Sequence, residues 1–312
     1  MKTIITFTTN PAIDKNSSVE HVVAEHKLYC KPPGFEPGGG AINVARAIKK
    51  LGGESKLVYT AGGYTGDRLN DLLQEESITR QVIPIEGITR ESLIILEEST
   101  GLQYRFGMPG AVMQKHEWER CINELSAIEP PPDFLVLSGS LAPGVPPDLY
   151  AQIAGIQKKK GTKVIVDVSG EALKQAMQEG VFLIKPNVRE FRNLVGLDIK
   201  DEQQIRAEAE KIVKNGHCQV IVISLGASGA LVVSEDFDEH IHPPTVPVIS
   251  KVGAGDSMVA GIVLSLAQGK NLRDAVRYGI ASGTAAVTTP GSELCRKEDA
   301  DRLFGMMMSE FK

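Results

Sequence analysis

One carboxylate in this chain has the surroundings of a proton acceptor in phosphoryl transfer. Asp256 lies in Ser250–Ala267, SKVGAGDSMVAGIVLSLA, directly after Gly253, Ala254 and Gly255, whose small size lets a backbone approach a ligand closely. Met258, Val259, Ile262, Val263, Leu266 and Ala267 follow with helical spacing, so the run reads as a glycine turn opening a helix. The first N–H groups of such a helix lack intrahelical partners, and with the positive helix pole they attract phosphate oxygens. The competing reading is an Asp-capped helix with packing glycines.

Five further clusters carry usable chemistry. Gly38, Gly39 and Gly40 open a path for backbone N–H groups toward a polar ligand, and Asn43 then offers a donor and an acceptor to a pair of hydroxyls. Asp14, in NPAID, and Ser140, in Ser138-Gly139-Ser140, each follow a strand, at the carboxyl edge where open α/β sheets bind ligands. In Lys185-Pro186-Asn187-Val188-Arg189-Glu190, Asn187 and Glu190 share a helix face. They read as holders of waters around Mg²⁺, as a reciprocal cap, or as both. Ser224-Leu225-Gly226-Ala227-Ser228-Gly229 reads as a hairpin turn or as a wrap for a nucleotide. Arg90 and Arg105 offer two guanidinium forks suited to a phosphate dianion, against the commoner case of surface arginines.

The elements that must position these residues alternate. Apolar strands are expected at Thr3–Phe7, Ser55–Thr60, Phe134–Leu137, Lys163–Asp167, Phe182–Lys185 and Val220–Ser224. Helices are expected at Ala41–Leu51, Gly66–Glu75, Lys115–Ile128, Pro147–Lys159, Glu171–Glu179, Glu202–Asn215, Leu272–Val287 and Lys297–Met308. Continuous apolar strands separated by helices imply βαβ units around a mostly parallel sheet. Ser92–Met108 breaks the rhythm as a hairpin about Ser99-Thr100-Gly101, and Asn16–Lys31 is strand-like without helical period. The two are expected to pair as a small β-sheet lid that excludes water from the site, giving a single domain over 1–312 with a lid from about 13–33 and 85–110. Leu93, Ile95 and Phe106 would leave an apolar lid face, which a second copy would cover in a homodimer.

Composition narrows the partners. The chain has 312 residues, 42% apolar and 23% charged, with a formal net charge of −5, which argues against a nucleic-acid partner. Cys30, Cys121, Cys218 and Cys295 are scattered, without metal-binding spacing, and read as reduced thiols. His240 and His242 share one face of a strand and read as surface residues. Met1–Thr9 is too short and polar for a secretory signal, and the densest apolar run is half the length of a membrane span, so no membrane partner and a cytoplasmic location are expected. There is no GxxxxGK[ST] and no GxGxxG motif, so a Walker-type ATPase or a Rossmann dehydrogenase is disfavoured.

NPAID, GGGAINVARAIKKLGG, KPNVRE, SLGASGA and VGAGDSMVAG, spread over essentially the whole chain, resemble the PfkB-type sugar kinases of the ribokinase superfamily. FEPGGGAINVARAI, GLQYRFGMPGA, LSGSLAPGV and SKVGAGDSMV are similar to its 6-phosphofructokinase branch. The resemblance implies a ribokinase-like three-layer αβα fold and ATP-dependent phosphorylation of fructose 6-phosphate or a related sugar phosphate. A 1-phosphofructokinase or tagatose-6-phosphate kinase is the alternative, and a non-catalytic sugar- or nucleotide-binding regulator is the reading from another class. It implies Asp256 as base and Gly253, Ala254 and Gly255 as anion hole. Asp14, Gly38, Gly39, Gly40, Asn43, Arg90, Arg105 and Ser140 would bind the sugar phosphate. Lys27, Lys185, Asn187, Ser224, Gly226, Gly229 and Thr284 would surround ATP, with Asn187 and Glu190 organising Mg²⁺. A K⁺ site would fall at Ser250, Val252, Ala286, Gly291 and Glu293; Ser250 stands where many relatives carry Asp, and Glu293 where a hydroxyl occurs.

Overall fold

Phe134 and Val136 turn to one side of their strand and Leu135 and Leu137 to the other, and all four are at most 2% exposed. Val220 and Val222 divide from Ile221 and Ile223 in the same way. A strand apolar on both sides must be covered on both sides, and helices do so here. Each fully buried side chain of this size stabilises the fold by about 1.5–3 kcal/mol.

A computed structural model describes residues 2–199 and 201–309. In chain order it runs β1 (Ile4–Thr8), β2 (Ala12–Val19), β3 (Gly34–Gly38), α1 (Gly40–Lys50), β4 (Lys56–Ala61), α2 (Gly63–Glu75), β5 (Arg80–Pro84), β6 (Arg90–Glu97) and β7 (Gln103–Gly107). It continues through α3 (Lys115–Ser126), β8 (Phe134–Ser138), α4 (Leu149–Lys159), β9 (Lys163–Asp167), α5 (Gly170–Gln178), β10 (Val181–Ile184), α6 (Val188–Val195), α7 (Glu202–Lys214) and β11 (Cys218–Ser224). A short 3₁₀ turn (Gly226–Ser228) leads to β12 (Ala230–Ser234), β13 (Asp238–Ile241), α8 (Ala254–Ala267), α9 (Leu272–Ala286) and α10 (Lys297–Ser309).

Nine strands form the central sheet in the order β13-β12-β11-β10-β9-β8-β1-β4-β5. Those from β11 to β5 are parallel, and β12 and β13 are antiparallel additions at one edge. Helices α1, α8, α9 and α10 pack on one face, α3 to α7 on the other. This is a ribokinase-like α/β fold with helices on both faces of a mostly parallel sheet. Among the described residues no helix is long and apolar enough to cross a membrane.

The central helix α8 is buried from Ser257 to Ala267, and it meets α9 through glycines. A Cβ added to Gly279 would lie 2.7 Å from the Met258 carbonyl, and one on Gly283 2.9 Å from the Ala254 carbonyl. The two main chains come close at these points, with the Ile262 and Met258 side chains packed against the same glycines.

The second sheet has four strands in the order β3-β2-β6-β7. The expected hairpin is present as β6 and β7, antiparallel, but the strand expected over Asn16–Lys31 ends at Val19. The fourth strand is Gly34–Gly38, which pairs with Ala12–Asn16. Pro37 is tolerated there because β3 is an edge strand. Pairing register sorts the side chains of this sheet by face. Asp14, Arg90, Ser92, Ile94 and Arg105 fall on one face, and Lys15, Phe35, Leu93 and Phe106 form a cross-strand row on the other. Phe35 is 40% and Phe106 47% exposed, whereas Ile95, expected on that open face, is buried at 7%. The four cysteines are free, and all but Cys30 are buried.

Candidate active site

Asp256 sits in the first turn of α8, and Gly253 before it holds a left-handed φ of 71°. A Cβ at Gly253 would meet Leu294 Cδ2 at 2.3 Å, so the turn is closed to larger residues both by conformation and by space. From α1, Asn43 Nδ2 donates to Asp256 Oδ2 at 2.9 Å. Asn43 is 6% exposed, and its Oδ1 has no hydrogen-bond partner among the described residues. The Lys185 ammonium lies beside the same turn, 3.2 Å from where a Gly255 Cβ would stand.

Burial pushes the Asp256 carboxyl up to about 6, and the neighbouring Asp167 carboxylate adds to the rise. The Asn43 bond and the charges of Lys185 and Arg105 pull the other way. Asp167 ends β9 and pairs with Lys185 at 3.1 Å. Burial raises the Asp167 carboxyl despite this partner. For Lys185 burial is the largest single influence and works to lower the ammonium, but the Asp167, Asp256 and Glu190 carboxylates together outweigh it, so the net shift is upward. Asp167 was accessible to sequence reasoning only through its place at the carboxyl end of a parallel strand, the same signal that singled out Asp14 and Ser140.

Gly40, Ser140, Lys185, Asn187, Glu190, Ser224, Gly255 and Asp256 line one cleft of about 380 Å³, with Asp167 among them. Gly40 is required by space, since a Cβ there would lie 2.3 Å from Ser138 Oγ. Asn187 and Glu190 form the reciprocal cap at the start of α6: Glu190 N donates to Asn187 Oδ1 and Asn187 N to Glu190 Oε2, each at 2.9 Å. Glu190 Oε1 accepts no hydrogen bond among the described residues, so the cap leaves an oxygen for the cleft.

Asp14, Arg90 and Arg105 of the small sheet do not line that cleft, though the Arg105 charge acts on Asp256 from the sheet. A Gly38 Cβ would lie 2.5 Å from Asp14 Oδ2, so Gly38 admits the carboxylate, while Gly39 turns the chain with a φ of 109°. Burial raises the Asp14 carboxyl, against the opposing charges of Arg105 and Arg90. Arg90 donates to the carbonyls of Asn10 (3.1 Å) and Met108 (3.2 Å). Burial lowers its guanidinium, with Asp14 opposing. Asn10 Nδ2 in turn donates to Ser140 Oγ at 2.9 Å. Arg105 is exposed and has no hydrogen bond or ion pair among the described residues, yet its charge acts on both Asp14 and Asp256.

Other selected residues are placed less centrally. The turn at Gly226 and Gly229 joins β11 to β12, with Leu225 N donating to the Gly229 carbonyl at 2.7 Å. Thr284 Oγ1 donates to the Ile280 carbonyl within α9. Lys27 is exposed, its ammonium 5.1 Å from the Tyr29 ring centroid, and no described contact brings it to the cleft. Ser250 is 2% exposed; its Oγ donates to the Gly291 carbonyl (2.9 Å) and accepts from Val252 N (3.2 Å). The Ala286 carbonyl accepts from Thr289 Oγ1, and Glu293 is paired with Arg296 at 2.7 Å.

The family model described as pfkB family carbohydrate kinase matches residues 8–299. An ATP-dependent 6-phosphofructokinase isozyme 2 from Mycobacterium tuberculosis is 42% identical over 301 residues, 96% of this chain and 88% of the relative. Phosphofructokinase-2 from Escherichia coli, solved in complex with potassium, superposes with a TM-score of 0.95 at 39% identity, covering 99% of this chain and 100% of the other. The same enzyme in complex with fructose-6-phosphate gives a TM-score of 0.94 at 38% identity, with 99% and 100% covered.

Proposed function

The chain belongs to the pfkB family of carbohydrate kinases, and we propose that it is an ATP-dependent 6-phosphofructokinase, converting fructose 6-phosphate to fructose 1,6-bisphosphate. The observation that carries this reading is the position of Asp256. It stands at the glycine-opened end of α8, bonded to Asn43 and sharing a cleft with Lys185, Asn187 and Glu190. Two arginines and Asp14 share the facing side of the small sheet.

In this reading Asp256 accepts the proton of the sugar C1 hydroxyl as that oxygen bonds in line to the γ-phosphorus, whose bond to the β,γ-bridging oxygen breaks to release ADP. The amides of Gly253, Ala254 and Gly255 and the helix pole stabilise the charge on the group in flight. Asp14 and Asn43 orient the sugar hydroxyls, Gly38 to Gly40 admit the ligand, and Arg90 and Arg105 hold the 6-phosphate, with Ser140 beside them. Lys185, Ser224, Gly226, Gly229 and Thr284 hold ATP on the other side. Among the described residues no group of three His, Cys, Asp or Glu side chains could hold a metal alone. Asn187 and the free oxygen of Glu190 would hold a magnesium ion, which would supply positive charge against the phosphates of ATP. For K⁺, the Ser250 hydroxyl and the carbonyls of the 250–252 and 286–291 segments are suitable oxygens. The Glu293 carboxylate, held by Arg296, is left out of that set.

The small sheet serves as the lid, and its outer row of Phe35, Lys15, Leu93 and Phe106 is the face on which a second copy would pack to form a dimer. Lys27 would reach a nucleotide only across such a dimer. A cytoplasmic setting fits the two substrates. The test is an ADP-release assay against fructose 6-phosphate, fructose 1-phosphate, tagatose 6-phosphate and ribose. Highest kcat/KM on fructose 6-phosphate supports the reading, and turnover confined to another of the four overturns it.

A further inference from the structure

His240, on β13, is only 17% exposed, and both of its ring nitrogens face oxygen acceptors. Nδ1 lies 2.8 Å from Glu202 Oε2 of α7, and Nε2 lies 2.8 Å from the carbonyl of Ser228. A carbonyl oxygen accepts and never donates. Glu202 Oε1 accepts from Arg206 at 3.1 Å, and Arg206 also lies 2.6 Å from Asp238 Oδ2. Neutral imidazole has one N–H and one lone pair, so it can serve only one of the two oxygens. With its proton on Nδ1 against the carboxylate, its Nε2 lone pair would point at the Ser228 carbonyl oxygen. The imidazolium, with two N–H donors, is the form that satisfies both contacts.

Ser228 closes the turn that joins β11 to β12, and this turn rests directly on β13. A Cβ at Gly229, where φ is 90°, would lie 2.0 Å from the Ile241 carbonyl. The charged and titratable groups around His240 are Glu202 and Arg206 from α7, Asp238 on its own strand, and His242, whose ring centroid is 3.9 Å away. Glu239 is held on the opposite face by Arg273 and Arg277, and the residue paired with His240 on β12 is the apolar Leu231.

We infer that His240 is a positioning residue for the nucleotide: its protonated ring, through the Ser228 carbonyl, fixes the Gly226–Gly229 turn in the shape that holds ATP. This rests on the proposed role of that turn in ATP binding. Histidine changes charge near neutral pH. Affinity for ATP is then high on the acid side and falls as the ring loses its proton.

The test compares the full-length wild type with His240→Gln and His240→Arg from about pH 6 to about pH 8. KM for ATP and KM for fructose 6-phosphate are both read. In the wild type KM for ATP rises with pH by about three- to tenfold more than in His240→Gln, the loss of roughly one hydrogen bond. KM for the sugar phosphate does not follow. His240→Arg, with permanent donors, keeps KM for ATP low at the alkaline end. Comparison between variants removes the titration of the ATP phosphates themselves. In parallel, the Gly229 amide ¹⁵N shift of the nucleotide-free wild type is followed over the same range and moves with the histidine. A Gly229 amide that ignores pH overturns the tie between ring and turn. An amide that titrates while wild type and His240→Gln share one KM profile for ATP overturns the nucleotide role of the turn, and the inference with it.

Discussion

Asn43 Nδ2 and Asp256 Oδ2, 213 positions apart in the chain, meet at 2.9 Å. The bond favours the ionised carboxylate, so removing it leaves the proton more tightly held. Asn43→Ala should therefore move the acid limb of kcat/KM toward higher pH by about one unit, the usual strength of a hydrogen bond to a charged group. An acid limb that stays in place would show that this amide does not tune the carboxylate.

Asp167 acts on Asp256 with the opposite sign, because its negative charge raises the carboxyl. Asp167→Asn should shift the same limb toward lower pH. The same change leaves the buried Lys185 ammonium without its counter-charge, which costs about 3–5 kcal/mol of stability. Urea unfolding and the pH profile together check the prediction, and a limb moving in the alkaline direction contradicts it.

Asp256→Asn should lower kcat by about 10²–10⁴ or more while sugar-phosphate binding persists. It should also stabilise the fold at neutral pH. The folded value of about 6 lies above the ordinary 3.8, so the stability linked to the neutral carboxyl is complete below about 3.8 and lost as pH rises through about 6. At neutral pH the ionised group costs at most about 3 kcal/mol. The Tm advantage of the variant should thus be present at neutral pH and vanish in acid. An advantage independent of pH would point to packing instead of charge.

Arg90 and Arg105 share a face but differ in attachment. Arg105→Ala should raise KM for the sugar phosphate with stability changed by no more than about 0.5 kcal/mol, since the side chain is exposed and unbonded among the described residues. Arg90→Ala should raise the same KM and also destabilise by about 1–3 kcal/mol, because the Asn10 and Met108 carbonyls lose their donor. Thermal unfolding beside KM separates the two. Equal stability losses would mean that Arg105 has a structural partner too.

Much of this arrangement was legible before the fold was known. The apolar strands from Thr3 to Ser224 and the glycine turn before Asp256 announce themselves by local pattern, because burial on two faces and a helix start leave marks within a few residues. What stayed hidden depends on neighbours far along the chain. Asp167 ends an ordinary apolar strand, and its partner Lys185 is adjacent only because β9 and β10 lie side by side. Gly34–Gly38 reads as a loop until β2 offers it an antiparallel partner. The polar edge strand β13 has no alternating apolar signal, so the two acceptors around His240 could not be foreseen. For Asn187 and Glu190, the cap is present and the same pair lines the cleft, so neither reading displaced the other.

The glycine seam between α8 and α9 has a bearing on how this kind of enzyme can change. Because main chain meets main chain along part of this seam, a methyl at Gly279 or Gly283 would press on the Met258 or Ala254 carbonyl and push the helices apart. The proton acceptor is thereby fixed to a rigid datum. Arg105, exposed on the four-stranded sheet and unbonded among the described residues, can by contrast be exchanged without disturbing that seam.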